Sequence, residues 1–157
     1  MKKIVFIAAL VLAFAGCQDD DSTNSVITDP VNIEFTQVGK NELYGDGAED
    51  IEAGTQIINS EEEWQELLQK ITTVNGLPEN FGNTDIDFSG YTVIAAFDAI
   101  QMNGGHQITI TSVIKTGEGL VITADNTTDD GGDATLIITQ PYHIVKIPKT
   151  TQPVISQ

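Results

Sequence analysis

Residues 91–126 read YTVIAAFDAI QMNGGHQITI TSVIKTGEGL VITADN, and this stretch decides the class of fold. Tyr91 to Ile100 is a long apolar run, which is what a strand buried on both faces looks like. Asn103-Gly104-Gly105 has hairpin chemistry, because asparagine and glycine accept positive φ. His106 to Thr116 alternates through Ile108, Ile110 and Val113, the period of a strand with one covered face. Gly117-Glu118-Gly119 then turns the chain into Leu120 to Asn126.

Working outward, Val31 to Lys40 reads as a first strand with Ile33, Phe35 and Val38 directed inward. Asn41 to Gly54 is a polar loop, and Thr55 to Asn59 a short β-branched strand. Ser60-Glu61-Glu62-Glu63 is a capping box: the Ser60 hydroxyl can take the Glu63 amide while Glu63 reaches back. Trp64, Leu67, Leu68 and Ile71 follow at helical spacing, and Gly76 and Pro78 end the segment. Downstream, Ala134 to Gln140 and, after Pro141, Tyr142 to Ile147 complete the strands. The expected fold is α+β, mostly antiparallel β with about seven short strands and one amphipathic helix near residues 61–74.

The N-terminus carries an address. Lys2 and Lys3 precede an apolar run from Ile4 to Ala15, too short to span a bilayer, where about 20 residues are needed. It reads as the h-region of an export signal. Phe14-Ala15-Gly16-Cys17 resembles a bacterial lipoprotein lipobox, which implies acylation of Cys17 after removal of residues 1–16. Gln18-Asp19-Asp20-Asp21 is similar to the acidic signals that send some Bacteroidetes lipoproteins to the outer face of the outer membrane; the alternative is a tether at the periplasmic face. Residues 17–31 are expected to tether, residues 32–150 to form one globular domain, and residues 151–157 to be a tail.

Charge narrows the function classes. Residues 1–16 contain two lysines and no acids, so the remainder has five lysines, no arginine and 23 Asp plus Glu, a formal charge of −18. Such a polyanion is repelled by phosphate backbones, and nucleic acid is set aside as a partner. With Cys17 spent on lipid, the domain has no cysteine and must stand on packing alone.

Chemistry-bearing residues are sparse. No G-x-S-x-G occurs, and His106 and His143 lack matched metal-ligand spacing. No catalytic residue, no cofactor and no enzymatic activity are expected. The loop containing Asp125, Asp129, Asp130 and Asp133 has the oxygen-rich, glycine-containing character of a calcium site, but it does not fit the EF-hand register and reads better as a solvated acidic hairpin loop.

An ordered set of blocks carries a resemblance. They are Ile58-Asn59-Ser60-Glu61-Glu62-Glu63-Trp64, Ile86-Asp87-Phe88-Ser89 leading into Tyr91–Phe97, Gly104-Gly105-His106-Gln107-Ile108, and Gln140-Pro141-Tyr142-His143-Ile144-Val145-Lys146-Ile147-Pro148. Their order behind a lipobox resembles the PrcB C-terminal domain family, lipoprotein subunits of a bacterial surface protease complex. The family more often has an aromatic after the Gly-Gly pair, where this chain has His106.

The resemblance implies a non-enzymatic accessory protein held to the membrane by its N-terminal lipid. Its partner would be an exported peptidase or another envelope protein. Asn103, Gly104, Gly105, His106, Tyr142 and His143 are the expected contact residues, Tyr142 being equally suited to packing. Two alternatives stand beside it: a protease inhibitor presenting loops from a β scaffold, and a calcium- or glycan-binding surface lipoprotein.

Overall fold

The helix begins where the capping box predicts. In the computed structural model, which describes residues 29–78, 81–128 and 136–155, Ser60 is extended and its Oγ accepts the Glu63 N–H at 3.3 Å. Glu63 Oε2 accepts the N–H groups of Ser60 at 3.2 Å and Asn59 at 2.7 Å. Helix α1 (Glu61–Asn75) ends at Gly76, whose φ of 69° lets its N–H return to the Thr72 carbonyl at 3.1 Å. Trp64, Leu67, Leu68 and Ile71 form its buried stripe. Among the described residues no helix is long and apolar enough to cross a membrane.

Among the described residues eight strands make two four-stranded sheets. They are β1 (Val31–Asn32), β2 (Thr36–Tyr44), β3 (Gly54–Ile58), β4 (Tyr91–Phe97), β5 (His106–Lys115), β6 (Leu120–Thr128), β7 (Thr139–Pro148) and β8 (Val154–Ile155). One sheet has the order β2-β7-β4-β3 and is antiparallel throughout. The other has the order β1-β5-β6-β8, antiparallel except for the short β6–β8 pair. The fold is thus α+β dominated by antiparallel strands.

The first sheet is the middle of three layers. Val93, Ala95 and Phe97 of β4 and Tyr142 and Ile144 of β7 pack with Trp64, Leu67 and Ile71 of the helix. The alternate residues Ile94, Ala96, Val145 and Ile147 pack against Ile108, Ile110, Val113 and Leu120 of the second sheet. Both faces of β4 and β7 are covered, so they read as continuous apolar runs, whereas β5, with one covered face, alternates.

Several expected elements are placed differently. Residues 31–40 are two strands in different sheets, and the inward residues separate accordingly: Ile33 and Phe35 join the core between the sheets, Val38 the core under the helix. Strand β2 continues to Tyr44, into the expected polar loop. The apolar run from Tyr91 stops at Phe97, because Asp98 turns out and its Oδ1 accepts the Ala99 N–H at 2.8 Å. Asn103-Gly104-Gly105 is not a hairpin: β4 and β5 belong to different sheets, and the segment crosses between them. The acidic loop likewise joins β6 and β7, which do not pair. Residues 136–138 are not strand, and the expected tail contains β8.

Pro141 interrupts nothing. Its carbonyl accepts the Asp98 N–H at 2.9 Å, so its ring nitrogen faces the same side, where β4 has already ended at Phe97. The missing donor falls where no strand acceptor awaits it.

Candidate functional site

The strand directions give the domain two distinct ends. The chain reaches β1 beside Lys115 and Ile114, and the Thr116–Gly119 turn, the helix N-terminus and β8 share that near end. The far end gathers Tyr44 to Glu52, Asn75, Asp98 to Gly105, Thr128 and residues 136–138. The ten residues of β5 separate the two by about 30 Å.

The far end is held by a polar net. Asp98 accepts from Asn126 Nδ2 at 2.8 Å and Gln101 Nε2 at 3.2 Å, tying the end of β4 to β6. The buried Gln140 donates to the carbonyls of Ile51 and Asp98, both at 3.0 Å. Gln101 and Thr139 exchange backbone hydrogen bonds at 2.7 and 3.0 Å. Nearby, Asn75 donates to the buried Glu49 carboxylate.

Four expected contact residues lie in this region. Gly105, with φ of 88°, donates its N–H to Glu42 Oε1 at 3.0 Å. Gly104 is buried, and the Asn103 carbonyl accepts from Thr139 Oγ1 at 3.3 Å. The half-buried His106 ring lies 3.3 Å from both Asn103 Oδ1 and Thr128 Oγ1. A cleft of about 300 Å³ opens beside them, walled by Lys40, Asn41 and Glu42 of β2, by Gly105 to Ile108 and by Tyr142 of β7. Lys40 Nζ crosses to Thr109 Oγ1 at 2.6 Å.

Tyr142 borders this cleft and His143 does not, and both are buried where the expectation was contact. Tyr142 is 0% exposed, its ring centroid 5.8 Å from Phe81 and 6.2 Å from Phe97. Its hydroxyl has no partner among the described residues, and burial, aided by neighbouring Tyr44, holds the phenol above the usual tyrosine range. His143 is buried between the sheets, and its Nδ1 accepts the Ile110 N–H at 2.8 Å. Burial, with the Lys40 charge adding, pulls its imidazole down to about 4. Strand β7 is covered on both faces, which keeps both side chains buried.

Cys17 and the calcium candidates Asp129, Asp130 and Asp133 lie outside the described residues. Asp125 is exposed on β6, opposite Thr109 in the ladder. Among the described residues no cluster of three or more His, Cys, Asp or Glu side chains could hold a metal ion.

The structure also presents residues that sequence reasoning missed. Tyr44, Ile100, Met102, Leu136 and Ile137 are large, apolar and exposed at the far end, Leu136 at 93% and Met102 at 73%. The segments carrying them interlock: Gly45 N–H donates to the Ile138 carbonyl at 3.0 Å, Ile100 lies against Gly47, and Gln101 bridges to Thr139. Apolar patches on a surface mark interaction sites more often than scattered single residues do. Their signal in the sequence was the apolar triplet Leu136-Ile137-Ile138, which by periodicity alone reads as a buried strand.

No family model, curated protein or solved structure matches this chain.

Proposed function

We propose that this protein is a lipid-anchored, non-enzymatic accessory protein of the bacterial cell envelope. It holds an exported partner, a peptidase foremost, by the end of its domain farthest from its anchor. The observation that carries this reading is the opposition of the two ends. The chain enters the domain at β1, from the side on which the sequence puts the lipid, while Ile100, Met102, Leu136 and Ile137 stand exposed about 30 Å away. A domain tethered at one end and apolar at the other suits capture of a protein lying beyond the membrane surface. The lipobox-like Phe14-Ala15-Gly16-Cys17 supports the anchor, and the order of blocks similar to the PrcB family supports the class of partner.

The test is recovery of tagged full-length protein from detergent-solubilised membranes, with its companions identified by mass spectrometry. A stoichiometric exported peptidase, lost when Met102 and Leu136 are both changed to serine, is the expected result. Assaying that peptidase with and without the domain separates holding from inhibition. Recovery of the bait alone, or a companion indifferent to both substitutions, would overturn the reading.

A further inference from the structure

We infer that the far end accepts a partner surface that is apolar at its centre and basic at its rim. The inference rests on the binding-end reading and adds the chemistry of the partner. Around the exposed Ile100, Met102, Leu136 and Ile137, the neighbouring loops and strand ends carry Asp46, Asp50, Glu52 and Asp125, all exposed.

The lysines are distributed the other way. Lys115, Lys146 and Lys149 belong to the near half of the domain, where Lys146 Nζ lies 4.7 Å from the centre of the Tyr91 ring and Lys149 Nζ donates to the Asn59 carbonyl at 2.7 Å. Two lysines lie nearer the far end. Lys40 bonds Thr109, the ladder partner of Asp125, and Lys70 donates to the Asp50 carbonyl at 2.8 Å with its Nζ 4.0 Å from Asp50 Oδ2. Among the described residues this leaves Asp46 and Glu52 without a lysine beside them. An apolar centre with a rim of net acidic charge gains steering from a basic rim and repels an acidic one. The same arrangement disfavours a second copy of this chain on a two-fold axis, because each acidic rim would face its own image.

The experiment uses the exported chain from residue 17 onward with Cys17→Ser, which contains every described residue and needs no detergent. Three fluorescent twelve-residue peptides are titrated and followed by anisotropy: alternating Lys and Leu, alternating Glu and Leu, and alternating Lys and Ser. The expected result is binding of the Lys/Leu peptide at least tenfold tighter than either of the others, with affinity falling as salt rises. Met102→Ser combined with Leu136→Ser should abolish most of that binding, while Val31→Ser, at the near end, should leave it unchanged.

Equal binding of the Glu/Leu peptide, lost with the same two substitutions, would keep the binding end and overturn the basic rim. Equal binding of the Lys/Ser peptide, or binding indifferent to Met102 and Leu136, would reduce the effect to bulk charge and overturn the inference. Flotation with phosphatidylethanolamine–phosphatidylglycerol vesicles, if it depended on Met102 and Leu136, would assign the patch to lipid instead. In each of these cases the capture of a peptidase from membranes is decided separately.

Discussion

The Nδ1 of His143 in β7 accepts the backbone N–H of Ile110 in β5 at 2.8 Å, joining the two sheets where the β5–β6 register shifts between Ile110 and Ser112. Thr111 is the extra residue of that bulge, and the amide of Ile110, the residue before it, is taken by the imidazole. Accepting at Nδ1 requires a neutral ring with its proton on Nε2, an atom without a partner among the described residues.

That bond should make stability depend on pH in a defined window. The His143 pKa is about 4 in the fold against 6.5 for an ordinary histidine, so between those values the unfolded chain binds the extra proton. Stability therefore rises with pH through the window: the contribution is complete above about 6.5 and lost by about 4. A shift of this size corresponds to about 3 kcal/mol. Glu63 and Asp87, whose carboxyls are held below their usual values by hydrogen bonds from Asn59 and Ser89 respectively, also favour the fold at higher pH, but they titrate lower in the range. Urea unfolding at intervals from pH 4.5 to 7 should show a slope in the parent that His143→Gln flattens. A slope unchanged by the substitution would assign it elsewhere.

Tyr142 separates packing from polarity. Its ring fills the space between Phe81 and Phe97, while its buried hydroxyl meets no partner among the described residues. Tyr142→Phe should be neutral or stabilising, since an unsatisfied buried hydroxyl costs about 1–3 kcal/mol. Tyr142→Ala should lose about 3–5 kcal/mol through the cavity it leaves. Denaturant midpoints of the two variants check both signs.

The capping box contributes at the other end of the scale. Removing the Ser60 hydroxyl strands the Glu63 amide at the helix N-terminus. Ser60→Ala should cost about 1 kcal/mol, and Ser60→Asp should restore most of it. Thermal unfolding followed by far-UV circular dichroism would register the loss and its recovery.

Gly119 marks where β8 lies against the end of β6. A Cβ there would sit 2.4 Å from the Pro153 carbonyl oxygen, the atom that accepts the Leu120 N–H at 2.8 Å. The obstacle is backbone, so Gly119→Ala should displace residues 153–155 rather than be absorbed by a side chain. Hydrogen exchange at the Leu120 amide should accelerate at least tenfold, with little change at Val93 in the middle sheet. Unchanged protection at Leu120 would show that β8 has room to shift.

The sequence by itself determined the elements whose causes are local. The capping box at Ser60 to Glu63, the helical stripe of Trp64, Leu67, Leu68 and Ile71, the alternation in His106 to Thr116 and the turn before Leu120 each rest on residues a few positions apart. The antiparallel α+β class follows from them. Which sheet each strand joins was decided only by the tertiary structure. Asn103-Gly104-Gly105 supplies the same backbone freedom to a hairpin as to the crossover it makes. Residues 31–40 alternate acceptably whether they lie in one sheet or divide between two. The site followed the same rule. The place of Asn103 to His106 at a loop-rich end was legible from glycine chemistry. Tyr142 and His143 were not legible as interior, because a polar tip suits a surface as well as a core. The exposure of Leu136 and Ile137 was hidden for the converse reason: an apolar pair carries no mark of whether another part of the chain arrives to cover it, and here, among the described residues, none does.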